Sequence, residues 1–319
     1  MNKTESTSLM NGVTKLTHME ETPVKKAVSV RELAMGKRIW LATRSSHWFL
    51  AGAGIFILML ATAVGSVVIF HADPTAMHFA DKFTPPMFSE GGTIEYPLGT
   101  DQLGRDMLSR TFVGLQISFL IGLAATVIAF VLGSSIGLFA GFKGGKVDQI
   151  LMRIVDIQLS IPPVILAITI LGLLRATPML VVAVLVLAGW PNYARLTRAG
   201  ALAEREQEYV RAARVLGAPD IRIILLMIAP VALPPLAFAA VFDLARMMIF
   251  ESILDFLGIG LQPPIPTLGV IIADGRKYLI NAWWIAVLPG VFLMVLLLSL
   301  NMMGIALERA RNAVMEGSK

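Results

Sequence analysis

The sequence predicts an all-α integral membrane protein with six transmembrane helices. Of its 319 residues 56% are hydrophobic, the mean hydropathy is +0.73, and only 15% are charged, against about 25% in an ordinary soluble protein. The apolar residues also gather into six stretches, each near the roughly 20 residues that cross a bilayer core. So little charge excludes a disordered chain and argues against a soluble enzyme. There is no cysteine, which removes disulfides, thiolate nucleophiles and Cys-ligated metal centres from consideration.

The first two stretches, 48–70 and 111–142, carry no charge. The third, 150–174, has Arg153 and Asp156 near its start and Pro162-Pro163 inside; the fourth, 178–193, is uncharged. The fifth, 223–250, holds Pro230, Pro234, Pro235, Asp243 and Arg246, and the sixth, 283–307, holds Pro289. Proline removes a backbone donor and bends a helix, so Pro162-Pro163 and Pro234-Pro235 are expected to break their helices within the membrane. Gly133, Gly137 and Gly141 recur every four residues, the small-residue spacing that lets membrane helices pack closely. The first stretch starts too late and runs too long for a signal peptide.

Basic residues set the orientation. Eight Lys or Arg lie in residues 1–47, six in the 195–222 connection and three in the tail after the last span. Both termini and the 195–222 connection are therefore expected in the cytoplasm, with 71–110 and 251–282 outside. The organisation that follows is a tail over 1–47, a first span and outward loop over 48–110, a core over 111–307 containing the 195–222 connection, and a tail over 308–319. Residues 31–45 mix basic and apolar positions and read equally as an interfacial helix or as a positive flank. The net charge of +5 is a topology signal, not a nucleic-acid signal.

Catalytic motifs are missing. No P-loop and no H-E-x-x-H occurs. His71 and His78 share an outward loop with Asp73 and Asp81, which reads as solvated side chains before it reads as a metal site. Gly133-Ser134-Ser135-Ile136-Gly137 has the spacing of a nucleophile elbow but lies in an apolar helix, where packing explains it.

The 195–222 connection is the most informative segment. Leu202, Tyr209, Ala213 and Leu216 are spaced to line one helical face, Gly217 suits a left-handed helix end, and Pro219 with Asp220 suits a new helix start. The expectation is a cytoplasmic helix–turn–helix on which Ala212 and Ala213 leave room for a docking partner. Arg211-Ala212-Ala213, Gly217 and Met227-Ile228-Ala229-Pro230 resemble the E-A-A-x3-G-x9-I-x-L-P loop of permease subunits of ATP-binding-cassette importers. Arg211 replaces the acidic residue, Met227 the isoleucine and Ala229 the leucine. Glu208 stands three residues before Arg211, near enough to pair with it, and restoring an acid at 211 is expected to be tolerated.

Two more stretches narrow the resemblance. PLGTDQLGRDMLSR, from Pro97 to Arg110 with Gly99, Asp101, Gly104, Arg105 and Asp106, is similar to the signature of the C-type permease subunit in dipeptide/oligopeptide/nickel importers. FLGIGLQPPIP, from Phe256 to Pro266, resembles that family's outward segment between the last two spans, with Leu268 in place of its usual tryptophan. Asp148, Met152, Arg153, Asp156 and Pro162 fit its third-span pattern. The resemblance implies a type I importer permease that binds no cofactor, with ATP and Mg on two cytoplasmic ATPase subunits. It also implies a second permease forming a heterodimer, an extracytoplasmic substrate-binding protein and a bacterial inner-membrane location. Glu208, Tyr209, Arg211, Ala212, Ala213, Leu216, Gly217, Ala218 and Pro219 would then meet the ATPase. The solute would be a dipeptide, an oligopeptide or, alternatively, a nickel or other metal chelate.

The residues by themselves leave several roles open. Asp101 is expected to cap a short helix bearing Arg105 and Arg110, either lining a vestibule or serving as an elbow. Arg153 with Asp156, and Asp243 with Arg246, are three apart on one helical face; such groups in a membrane face a bundle interior or a water path, as gate residues or as structural pairs. Glu251 and Asp255 would attract a peptide amino terminus or a cation, or pair with Arg276 or Lys277. A self-sufficient ion-coupled carrier is the rival of another class, but no inverted repeat is visible.

Overall fold

The computed structural model describes residues 40–69 and 73–316. The polar tail, most of the 31–45 segment and His71 lie outside these residues; residues 40–44 are helical. Ten helices define the architecture: α1 (His47–Ile69), α2 (Met107–Lys143), α3 (Gly145–Ser160), α4 (Pro163–Leu173), α5 (Pro178–Arg205), α6 (Glu208–Val215), α7 (Asp220–Ala232), α8 (Pro234–Phe256), α9 (Leu268–Gly275) and α10 (Trp284–Glu316). Four of them are long and apolar enough to cross a membrane, and the bent pairs α3–α4 and α7–α8 bring the number to six if each is one span.

Both bends sit at prolines, as the sequence suggests. The α3–α4 axis turns by 81° at Ile161-Pro162 and the α7–α8 axis by 59° at Leu233-Pro234. Ile161 is extended because the ring of a following proline crowds the helical conformation. Before Pro230 the chain widens into a π-turn over Ile224–Ile228, one way of accommodating a residue with no backbone donor.

The core is centred on α2 and α5. Gly133, Gly137 and Gly141 face α5, where a β-carbon would strike the carbonyls of Trp190, Ala194 and Arg198. That closeness confirms the small-residue reading and lets backbone dispersion contacts stand in for bulky side chains. Around this pair, Val155 of α3 and Leu236, Met247 and Leu254 of α8 complete one apolar cluster. A second joins α1, α2, α8 and α10 through Met59, Leu115, Met248 and Leu296.

The ends of the bundle follow from contacts. Gly52 lies against Ser299 and Met302 of α10, and Ala63 accepts a hydrogen bond from Gln116. Arg311, near the end of α10, lines a groove with Leu196 and Glu204 of α5. The start of α1, the end of α10 and α6 therefore share one end, and the 73–106 and 257–283 loops share the other.

One boundary differs from expectation. Residues 195–205 extend α5, because the run LTRAGALAER contains nothing that stops a helix. The excursion between spans is shorter than the sequence suggests and begins at Glu206, where Gln207 turns extended at φ −68° and ψ 148°.

Candidate functional site

At the α6 end, the excursion is one short helix held by an apolar underside. Val210 and Ala213 are buried among Leu138 and Phe142 of α2, Ala201 of α5 and Ile223, Ile224 and Ile228 of α7. Gly217 ends the helix at φ +80°. The Ala218 N–H donates to the Ala213 carbonyl and the Gly217 N–H to the Arg214 carbonyl, both at 3.1 Å, the paired closure of a Schellman end. The expected apolar face is corrected here. Leu202 belongs to α5, and Leu216 is 86% exposed because it lies just past the last helical residue. Ala213 is buried and Ala212 exposed, so Val215, Leu216, Arg211, Ala212, Gly217 and Pro219 form the outward tip.

Charges brace the base of this excursion. Arg211 donates to Glu206 at 2.8 Å, and Arg205 donates to the same carboxylate at 3.0 Å. The Arg211 hydrogen bond, then that of Arg205, holds the Glu206 carboxyl below the usual carboxylate range. Glu208 is exposed and is not the partner of Arg211, because the turn at Gln207 brings Glu206 to that position instead. Tyr209 donates to Glu204 at 2.5 Å, and Lys143 meets Asp220 at 2.6 Å, tying α2 to the start of α7.

At the opposite end, Asp101 does not cap a helix. Residues 97–106 form a loop closed by a bridge between Thr100 and Asp106, with Gly99 and Gly104 at φ +79° and +74°. Asp106 is the cap of α2, accepting from the Leu108 and Ser109 N–H groups at 3.1 and 3.0 Å. Asp101 is buried and accepts from the Leu103 N–H at 2.8 Å, the Arg105 N–H at 3.0 Å and the Arg105 guanidinium at 2.5 Å. Arg105 and Arg110 reach Asp274 of α9 at 3.7 and 3.6 Å. Burial pushes the Asp274 carboxyl up against the pull of Arg110 and Arg105. Trp284 donates to the Thr100 carbonyl at 3.0 Å. The cluster joins the signature loop to α2, α9 and α10.

The intramembrane candidates divide into two kinds. Arg153 and Asp156 do not pair with each other: Asp156 meets Arg195 of α5 at 2.7 Å, and Arg153 is exposed. Asp243 and Arg246 do pair, at 2.5 Å. The second Asp243 oxygen and the Tyr193 hydroxyl of α5 are both buried and interact with each other. Glu251 and Asp255 are buried, so neither waits at a mouth nor meets Arg276 or Lys277. Glu251 accepts from Ser118 at 3.1 Å and Ser252 at 3.2 Å; Asp255 accepts from the Leu261 N–H at 2.6 Å and from the Thr267 hydroxyl. The Leu268 N–H donates to Ser118 at 3.2 Å, so this polar node seats α9 on α2 and α8. Sequence reasoning missed Ser118, Thr267, Arg195, Arg198 and Asp274 because their partners lie on other helices. The three-residue step from Arg195 to Arg198, just inside the end of a span, was the signal available for those two.

A bundle with glycine-locked helices, two proline-broken spans and a braced excursion at one end is that of a multi-pass membrane protein. Residues 133–312 match the family model for the binding-protein-dependent transport system inner membrane component. The chain is 34% identical over 274 residues to the di/tripeptide transport system permease protein DppC of Pseudomonas aeruginosa, covering 86% of this chain and 90% of that protein. It is 35% identical to the dipeptide transport system permease protein DppC of Haemophilus influenzae, covering 86% and 93%. It is 29% identical to the oligopeptide transport system permease protein OppC of Bacillus subtilis, covering 89% and 91%. Among solved structures, an inward-facing MetNI methionine ABC transporter aligns with a TM-score of 0.50 at 22% identity, over 63% of this chain and 94% of that one; this likeness is one of fold. The chain belongs to the family of inner-membrane permease components of binding-protein-dependent ABC importers. It is a transport subunit, not an enzyme, and works with ATPase subunits.

Proposed function

We propose that this chain is one of two paired permeases that together form the peptide passage of a bacterial inner-membrane importer. Dipeptides, tripeptides or somewhat longer peptides are the solute class, as the names of its relatives suggest. Two ATPase subunits carry ATP and Mg, and an extracytoplasmic binding protein delivers the solute. The excess of basic residues in the N-terminal tail, the 195–222 region and the C-terminal tail supports placing the α6 end in the cytoplasm.

The observation that carries the coupling role is the α6 tip. Val215 and Leu216 are 88% and 86% exposed on a helix whose underside is packed and whose end is closed by hydrogen bonds. An exposed apolar tip on a rigid base suits insertion into a groove of the ATPase and transmission of its movement. In this mechanism closure of the ATPase pair displaces α6, and Val210, Ala213 and the Lys143–Asp220 pair pass the displacement to α2, α5 and α7. The proline breaks before α4 and α8 then allow the passage to switch from inward to outward access. Asp243 and Arg246 act as pathway or gate residues, and Glu251 and Asp255 act indirectly by seating α9. Stimulation of ATP hydrolysis in the assembled complex by its binding protein, loaded in turn with a panel of peptides, tests the reading. Stimulation by peptides supports it; stimulation only by a metal chelate or another solute overturns the substrate class.

A further inference from the structure

The α3 helix presents three distinct faces. Met152, Val155 and Leu159 pack toward α5 and its neighbours. Lys146, Gln149, Arg153, Asp156 and Ser160, spaced three and four apart, form an exposed polar row. Beside it Val147, Ile150, Ile154, Ile157 and Ile161 form an exposed apolar row offset by one residue. An amphipathic helix of this kind could lie flat on a membrane surface, but the contacts of α3 exclude that posture. Asp148 meets Arg198 at 2.5 Å, Asp156 meets Arg195 at 2.7 Å, and Gln158 donates to the Leu187 carbonyl at 3.4 Å. As α3 advances, its partners on α5 recede, so α3 runs antiparallel beside a membrane-crossing helix over most of its length. A polar row inside the membrane thickness must meet water or a polar partner, because charge in hydrocarbon is costly.

The row is also electrostatically unbalanced. Arg195 compensates Asp156, and Arg198 compensates Asp148. Lys146 and Arg153 enter no ion pair among the described residues, so the row carries net positive charge.

We propose that this row is the wall that the chain contributes to the water-filled, inward-opening half of the passage, and that its positive charge favours solutes presenting a carboxylate. The proposal rests on the permease reading above and deepens it. Peptides with a free carboxyl terminus are the chemistry such a wall attracts; Arg153 is its unpaired midpoint, and the isoleucine row marks where the wetted strip ends.

The chain has no cysteine, so single cysteines report directly. Gln149→Cys, Ser160→Cys and Ile154→Cys are introduced one at a time into the assembled complex in inverted membrane vesicles. Each is reacted with an anionic and with a cationic methanethiosulfonate, and modification is read by mass spectrometry on peptides of this chain. Gln149→Cys and Ser160→Cys are expected to react about tenfold faster than Ile154→Cys. At Gln149→Cys the anionic reagent is expected to be favoured severalfold over the cationic one, relative to a free thiol. Adding Arg153→Glu is expected to reverse that preference, and high salt to abolish it. Polar-row cysteines that react no faster than Ile154→Cys overturn the wall; a charge preference indifferent to Arg153→Glu overturns the selectivity. Binding-protein-stimulated ATP hydrolysis, measured on the same variant complexes after solubilisation so that the binding protein reaches their extracytoplasmic face, separates either failure from failure of the importer reading.

Discussion

Arg198 grips Asp148 through two hydrogen bonds of 2.5 and 2.6 Å, fastening the start of α3 to the half of α5 nearest α6. Paired donors on one carboxylate fix direction as well as distance. Asp148→Ala should therefore lower the melting temperature of the solubilised complex, at a cost of about 2 kcal/mol. The exchanged pair Asp148→Arg with Arg198→Asp should recover part of the loss. Equal melting of Asp148→Ala and the parent would show that the packing of Val155 alone holds α3.

Gly217 occupies φ +80° with open space around its α-carbon, so the constraint is conformational and not steric crowding by neighbours. Gly217→Val should insert and assemble but lose ATP-driven uptake, because the left-handed conformation costs a side-chain-bearing residue about 1–2 kcal/mol and the tip would reorient. Uptake at the parent rate would refute the role of the turn.

Arg211→Glu, which restores the acid expected from the family motif, now carries the opposite expectation. It would place a carboxylate against Glu206 in place of the present 2.8 Å ion pair. Uptake should fall a few-fold, Arg211→Gln should fall less, and Arg211→Glu with Glu206→Arg should recover. The pH sense follows from the depressed Glu206 carboxyl: the bond contributes above the ordinary carboxylate range and is lost as pH falls through the lower, folded-state value. Uptake assays that rank the single and double variants differently would sink this pairing.

Gly137→Leu should abolish accumulation of the chain in the membrane. A side chain there meets the Ala194 carbonyl and the Thr197 side chain, on a helix that cannot retreat without opening the core. Gly172→Leu is the control, since nothing lies within 4 Å of its β-carbon position. Immunoblots showing equal membrane levels of the two variants would contradict the close approach of α2 and α5.

Asp274→Asn should destabilise the Asp101 end, leaving Arg105 and Arg110 with Asp101 as their one carboxylate partner. Faster proteolysis of the 73–106 loop in the variant is the expected result; unchanged proteolysis would mean that Asp101 alone neutralises both guanidinium groups.

Features written in neighbouring residues were legible in the sequence: the spans, the proline breaks, the Gly217 turn, the Asp243–Arg246 pair and the glycine row. Features that depend on a second helix were not. Arg153 and Asp156 have the spacing of a pair, yet Arg195 of α5 takes Asp156. Glu251 and Asp255 look like exposed carboxylates near a loop, yet α9 folds over them and supplies the Thr267 hydroxyl, while the Leu268 N–H reaches Ser118. Asp101 has the side chain of a cap, but two glycines at positive φ delay the helix to Met107 and give that task to Asp106. Leu216 fits an apolar stripe by spacing, yet falls beyond the end of α6, where periodicity no longer describes direction.

At 37 residues, α2 is about 55 Å long, and its glycines clamp it to α5 along the half nearest α6. Under the coupling proposed above, the two would tilt as one stiff body worked from the α6 end. A tilt of about 10° about its midpoint would carry the Met107 end of such a rod through roughly 5 Å. A push at the α6 end would then be felt at the Met107 end as a rigid tilt, without repacking the interface between the two helices.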